Sequence, residues 1–415
     1  MHKFSKDWIR KAVRSFYCTA TLVTLGCASS GPSTSVNTPV SPRGSYGETS
    51  KINSSSADGN SKISDRKNPV IPRGIDYTVP PARIAFGSCA DQDKPQPIWT
   101  AILKEEPDMY IAAGDNVYAS APGQTPISEQ YIKLDQIPEY RELREDVPMM
   151  AIWDDHDYGM NDGGRENPEK EIAKRDFLNY WGYVKDSIAL GQGPLYHAKM
   201  IGGPIYQRIE KVRRGRKRKA RKARIVSKPG SSVQVIMLDT RWNRTPLLKA
   251  EGNDPLRKYL PNTDPKATIL GNEQWSWLED QMAKPADIKV LVSSIQVIAE
   301  GHGFEKWGNF PLERDRLFEL IKKTKPKNLF IISGDRHLGT IAKTEIPGWG
   351  TLYDITASSL NKPSNLEESD SAYVGASYQK ENYGLATIEW EKKEISLELK
   401  DLNGGTVNTV KIPLK

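Results

Sequence analysis

The sequence of 415 residues predicts an α/β fold, a parallel or mixed sheet with helices outside it, and two observations predict it. Apolar runs at 83–86, 109–113, 149–152, 233–238, 289–294 and 329–332 read as buried strands, and helical patterns at 98–105, 170–181, 271–282 and 312–322 fall between them. Four of the runs open directly into polar motifs. These are Gly87-Ser88-Cys89, Gly114-Asp115-Asn116-Val117-Tyr118, Trp153-Asp154-Asp155-His156-Asp157 and Ser333-Gly334-Asp335-Arg336-His337. The carboxyl ends of strands are where such sheets gather ligands.

Ahead of the first strand, Lys3, Lys6, Arg10, Lys11 and Arg14 precede an apolar stretch at 16–25, the layout of an export signal over 1–27. Leu25-Gly26-Cys27 resembles a lipid-attachment site, and Gly26-Cys27-Ala28 also suits ordinary signal cleavage. Either way the expectation is an exported protein of the periplasm or cell envelope, lipid-anchored at Cys27 in the first case. Residues 28–75, rich in Ser, Gly, Asn and Pro, read as a solvated tether, and 76–415 as the folded domain. Later in the chain, runs at 385–390 and 394–399 separated by Lys392-Lys393 read as hairpins that close a second sheet.

A composition of 37% hydrophobic and 27% charged residues is that of an ordinary globular chain with one large core or two smaller ones. No segment after the signal approaches membrane-spanning length. The net charge is +7, of which the first 26 residues hold +4 and the ten Lys and Arg of 211–224 hold +10, so the rest of the chain stands at −7. The basic character is one local insertion.

Cys18 lies in the signal and Cys27 is lipidated or removed, which leaves Cys89 without a disulfide partner. A buried small hydrophobe is the usual fate of such a thiol. Its place at a strand end beside the other motifs favours a metal ligand. Asp115 points from a sheet edge as a hard-cation ligand, and Tyr118 either returns to the same cleft or forms its wall. A phenol ionises at neutral pH only beside a strong Lewis acid, so ligation by Tyr118 implies a trivalent metal.

Three carboxylates and an imidazole in residues 154–157 repel one another unless cations are near. Strand geometry turns Asp155 and Asp157 one way and Asp154 and His156 the other, a rule that a tight turn relaxes. Asp155 is read as a metal ligand and His156 as the group that protonates a leaving oxygen or holds a phosphoryl oxygen. Asp335 and His337 have the spacing that lets two side chains reach one centre. Arg241, in Asp239-Thr240-Arg241, either forks onto phosphate oxygens or pairs with Asp239, and it joins His156 as a catalytic candidate. Gln296 offers a carbonyl oxygen, His197 reads as structural, and His302 is open.

The order Ser-Cys, Gly-Asp-x-x-Tyr, Trp-Asp-Asp-His-Asp, Leu-Asp-Thr-Arg, Ser-Ser-x-Gln and Ser-Gly-Asp-Arg-His, between Arg83 and Leu360, resembles the PhoD-like alkaline phosphatase and phosphodiesterase family. That resemblance implies a calcineurin-like metallophosphoesterase fold, two mixed sheets packed as a sandwich between outer helices, with Fe3+ and Ca2+ at the sheet ends. Carried onto this sequence, it makes Cys89, Asp115, Tyr118 and Asp155 metal ligands and sets Asp335 and His337 together on the calcium side. It implies hydrolysis of a phosphate mono- or diester. This sequence departs from fuller members in lacking a twin-arginine pair and an extra amino-terminal β-rich domain, and in carrying the basic insertion. The alternative function is a non-catalytic envelope protein that grips polyanions through 211–224, a run without the aromatics that base stacking needs. The same run also suits electrostatic steering of an anionic substrate.

Overall fold

The computed structural model describes residues 70–119, 126–203, 231–252, 254 and 256–415, together with four two-residue strands between 206 and 225. The expected export signal, Cys27 and most of the expected tether lie outside the described residues, and so does the basic run 211–224 apart from its strand pairs. The last tether positions are tied to the domain: Arg73 N–H donates to the Arg144 carbonyl at 2.9 Å, so the anchored chain begins earlier than residue 76.

Two six-stranded sheets form the centre. In the first, β1 (Arg83–Gly87), β2 (Met109–Ala113) and β3 (Met149–Ile152) run parallel, and β16 (Asn382–Glu389), β17 (Glu394–Asp401) and β18 (Thr406–Pro413) continue antiparallel from the other side of β1. In the second, β9 (Ser232–Met237), β12 (Ile288–Val292), β13 (Leu329–Ser333) and β15 (Gly350–Ala357) are parallel, with β4 (His197–Gly202) and β14 (Gly339–Ile346) as antiparallel edges. Three minor ribbons pair β5 (Tyr206–Gln207) with β8 (Arg224–Ile225), β6 (Val212–Arg213) with β7 (Arg216–Lys217), and β10 (Leu248–Lys249) with β11 (Tyr259–Leu260).

Alternation along the strands sorts the core. On β9, Val233, Val235 and Met237 join Ile84, Phe86 and Ile111 of the first sheet, whereas Ile236 and Leu238 pack with Trp275, Leu278, Leu317 and Ile321. Successive side chains point to opposite faces, so one face of the second sheet meets the first sheet and the other meets helices. Those helices are α6 (Gly271–Ala283) and α7 (Pro311–Thr324). The first sheet is covered by α1 (Ile98–Lys104), α2 (Ile127–Leu134), α3 (Pro138–Asp146), α4 (Lys170–Tyr180) and α5 (Gly182–Lys185), through Trp99, Ile102, Tyr131, Tyr140, Leu143 and Phe177. The expected sandwich of two mixed sheets between outer helices is the observed architecture. One expectation is corrected: the late hairpins extend the first sheet beside β1, and β14 and β15 complete the second.

Candidate metal centre

The carboxyl ends of β1, β2 and β3 in one sheet, and of β9, β12, β13 and β15 in the other, open on a common crevice. Each delivers a polar group just past its last strand residue: Cys89, Asp115, Asp154 to His156, Arg241, Ser294, Asp335 to His337 and Ser358. The chain must turn sharply to do this. Cys89 (φ 64°), Asp115 (φ 47°), Asp335 (φ 70°) and His337 (φ 56°) all hold left-handed backbone, a conformation that costs a residue with a side chain about 1 kcal/mol or more and that clusters at functional sites. Gly114, at φ 108°, has no room for a Cβ, which would stand 2.6 Å from the Asp154 Cβ. Gly334 similarly lets the second sheet approach the Ser88 hydroxyl, 2.6 Å from where its Cβ would be.

Three overlapping groups of donor atoms result, each with its atoms within 4.8 Å of one another: Cys89, Asp115 and His337; Asp115, Asp155 and His156; and Asp115, Asp154, Asp155 and Asp335. Asp115 belongs to all three. The Tyr118 hydroxyl donates to Asp115 Oδ2 at 3.0 Å and lies 3.1 Å from His337 Nε2, which sets it in the first group. The Cys89 thiol is 3.6 Å from Asp115 Oδ2 and 3.2 Å from the Ser358 hydroxyl. Asp115 Oδ1 accepts the His156 N–H at 3.2 Å, and Asp155 Oδ2 accepts the Asp162 N–H at 2.7 Å.

The electrostatics of these groups describe an anionic cage. Burial, then Asp155 and Cys89, push Asp115 well above the carboxylate range, and burial with Asp154 and Asp155 does the same to Asp335. Burial drives the Cys89 thiol up to about 11 against hydrogen bonds from Ser358 and Ser88. The Tyr118 phenol is raised by burial and by Asp115, and the His337 imidazole is lowered to about 3 by burial and by Lys362. Asp154 stands at about 8, since burial outweighs Arg241. Asp155 alone is held low, because His156, Arg241 and the Asp162 N–H together overcome its burial. Four carboxylates this close do not ionise together without added positive charge. Asp154 Oδ2 and Asp155 Oδ1 are buried with no hydrogen-bond partner, as expected of atoms that face a cation. The residues therefore fit metal ions. The donors are also unequal: thiol, phenol and the His337 imidazole collect on one side of Asp115, and the carboxylates of Asp154, Asp155 and Asp335, with the His156 imidazole, on the other.

Every residue expected as a ligand reaches this crevice, with one rearrangement. Asp335 and His337, set together on one side by the resemblance, part across Asp115: His337 joins Cys89, and Asp335 joins Asp154 and Asp155. Arg241 is also corrected as a catalytic candidate. Its guanidinium has no exposed surface, bonding Asp154 Oδ1 at 2.5 Å and Glu305 Oε2 at 2.6 Å, so it positions carboxylates and does not face a substrate. The expected pairing with Asp239 is a bond from the Arg241 backbone N–H to Asp239 Oδ1 at 2.9 Å. Gln296 Oε1 lies 2.9 Å from His302 Nε2, and Gln296 Nε2 bonds Thr356, away from the metal groups.

Sequence reasoning missed Asp154, because the chain leaves strand geometry at once: Tyr158 N–H bonds the Asp154 carbonyl and Met160 N–H the Asp155 carbonyl, a turn that cancels the alternation. It missed Ser358, although the rule of a polar group after an apolar strand finds it at the end of β15. Glu305 sits in a loop and carried no signal.

The two sheets, their crevice and the carboxylates at the strand ends define a metallophosphoesterase-type fold. A family model described as PhoD-like phosphatase matches residues 128–393, and the chain belongs to that family. The matched span holds Asp155, His156, Arg241, Asp335 and His337, while Cys89, Asp115 and Tyr118 precede it. Alkaline phosphatase D of Bacillus subtilis (strain 168) is 25% identical over 295 residues, which are 62% of this chain and 46% of that protein. This chain thus matches less than half the length of that relative. Among solved structures, one described as the structure of PhoD superposes with a TM-score of 0.57 at 16% identity, covering 82% of this chain and 70% of that one. A dimetal phosphatase from Danio rerio gives 0.45 at 10% identity over 81% of this chain and all of the other.

Proposed function

We propose that this chain is a metal-dependent phosphoesterase that hydrolyses phosphate mono- or diesters outside the cytoplasm. In this reading ferric iron is held by Cys89, Asp115, Tyr118 and His337, and calcium by Asp115, Asp155, Asp335 and the added Asp154. The observation that carries the reading is Asp115, whose carboxylate is common to every donor group in the crevice. Bound there, the ions supply Lewis acidity toward phosphoryl oxygens.

The side chains have separate tasks. Asp115 is oriented by the Tyr118 hydroxyl and the His156 N–H, so its two oxygens serve the two sides of the centre. His156 keeps a side chain 22% exposed at the rim, its Nε2 4.0 Å from Asp155 Oδ1, and is placed to hold a phosphoryl oxygen or pass a proton to the leaving oxygen. Arg241 keeps Asp154 and Glu305 in place. Export rests on the basic and apolar pattern of 1–27, and among the described residues no helix is long and apolar enough to cross a membrane.

Elemental analysis of purified protein, its visible absorption, and turnover of aryl phosphomonoesters and diesters after loading with different metals test the reading together. Bound iron with a phenolate absorption band and metal-dependent release of phosphate are expected. A protein that turns over neither ester under any loading is not this enzyme.

A further inference from the structure

Beside the metal groups stands one cation that the proposed chemistry leaves unused. Lys362 lies on the segment after β15, and that segment is clamped at both ends. Ser358 touches the Cys89 thiol and accepts the His337 N–H at 2.9 Å, and Leu360 N–H bonds the Ser88 carbonyl at 3.2 Å. Asn361 is buried, its Oδ1 accepting the Asp91 N–H at 2.7 Å and its Nδ2 donating to the Asp91 carbonyl at 2.8 Å, and Ser364 N–H bonds the His337 carbonyl at 2.7 Å. Between these clamps the half-buried Lys362 sends its ammonium over the Tyr118 ring, 3.4 Å from the centroid. The same ring packs against His156, with centroids 4.2 Å apart and the planes tilted by 40°.

Among the described residues Lys362 makes no ion pair and no hydrogen bond. Asp91, the anion that acts most strongly on it, is paired with Lys94 at 3.5 Å. An ammonium half withdrawn from water, with three donors and no acceptor, stands where the crevice opens and within electrostatic reach of both His156 and His337.

We propose that Lys362 is a substrate-binding residue: its ammonium holds a non-bridging phosphoryl oxygen and favours the dianionic phosphate of a monoester over the single charge of a diester. The inference rests on the phosphoesterase reading and narrows its substrate class. A charge-assisted N–H···O bond is among the stronger polar contacts, and attraction to the ammonium grows with ligand charge. The Tyr118 face that the ammonium now covers is then a resting place, exchanged for the phosphate when the ester enters.

The test compares wild type with Lys362→Met, Lys362→Gln and Lys362→Arg, each carrying the metals it retains on purification. Inorganic phosphate is the probe in calorimetry, beside metal content, visible absorption, and kcat and KM for an aryl monoester and diester. The Met and Gln variants are expected to bind phosphate about tenfold more weakly or worse, which is about 1.4 kcal/mol, with unchanged metals and spectrum. KM for the monoester should rise more than kcat falls, the monoester-to-diester ratio of kcat/KM should drop, and Arg should restore most of the phosphate affinity. Unchanged phosphate affinity overturns the proposal. So does a shifted absorption band or lost metal, since Lys362 then acts through Tyr118. If wild type turns over no ester, the phosphoesterase reading falls, and the calorimetry still decides whether Lys362 binds phosphate.

Discussion

At the scale of single residues, the centre is organised by how little its groups are allowed to choose. Asp115 is held from two sides and Arg241 from three, so a substitution at either removes more than one contact. Asp115→Asn keeps the shape but removes the negative charge and one of the two acceptor oxygens shared by every donor group. Metal content measured by elemental analysis is expected to fall on both sides at once, with turnover at least about a hundredfold lower. Arg241→Met tests the opposite role. Asp154 and Glu305 have side chains at most 1% exposed; Glu305 keeps Arg244, Nε to Oε1 at 2.9 Å, but Asp154 loses its cation, at a cost of about 3 kcal/mol. Urea unfolding of the metal-free protein reads that cost, and Asp154→Asn added to Arg241→Met is expected to recover part of it. Recovery of stability by the second change marks Arg241 as a positioning residue. Stability equal to wild type in the single variant contradicts that role.

At the scale of elements, legibility followed burial. The strands at 109–113 and 149–152 are read to the residue, because parallel strands covered on both faces are unbroken apolar runs. Strand β18, in contrast, is an edge whose residues are mostly exposed, and α3 buries only Tyr140, Leu143 and Arg144, so neither had a continuous apolar signature to follow. The site was legible as a list of strand ends and illegible as a geometry. Periodicity says where a strand stops, but the left-handed turns at Asp335 and His337 decide which side of Asp115 each side chain takes. Gly114 tests that step: Gly114→Ala sets a Cβ against Asp154 at a positive φ, and is expected to cost about 2 kcal/mol in thermal or urea unfolding and to lower metal content. On β4, His197 is buried between the Leu195 carbonyl, 2.8 Å from Nδ1, and the Tyr183 hydroxyl, 3.2 Å from Nε2. Burial lowers its pKa to about 4. Between pH 6.5 and 4 the unfolded chain takes up a proton that the folded chain refuses, so this residue makes stability fall as pH falls, by about 3 kcal/mol at most. His197→Gln is expected to flatten that part of the pH–stability curve and to leave its slope above pH 7 unchanged.

At the scale of the whole molecule, the question is whether the basic run 211–224 serves the crevice. The described chain leaves β4 at Gly203 and returns at Ser231, and Gly202 pairs with Ser232 across the β4–β9 ladder. β9 then runs from Ser232 to Met237 before reaching Asp239 and Arg241, so the point of departure is the far end of the sheet, about 20 Å from the strand ends that carry the site at ~3.3 Å per residue. A charge at that point of departure would be largely screened from the strand ends at physiological salt, where the Debye length is about 8 Å. Steering of an anionic substrate and contact with a phosphate-rich polymer are the two uses that such a run offers, and removing it separates them. Because Gly202 and Ser232 already face each other, 204–230 can be replaced by a short turn without disturbing the ladder. The shortened protein is expected to keep kcat/KM for a small aryl phosphate within about twofold at low salt, where any steering is greatest, and to lose its retention on heparin. A several-fold fall in kcat/KM that vanishes as salt is added is the contrary result, and it assigns the ten bases to substrate capture.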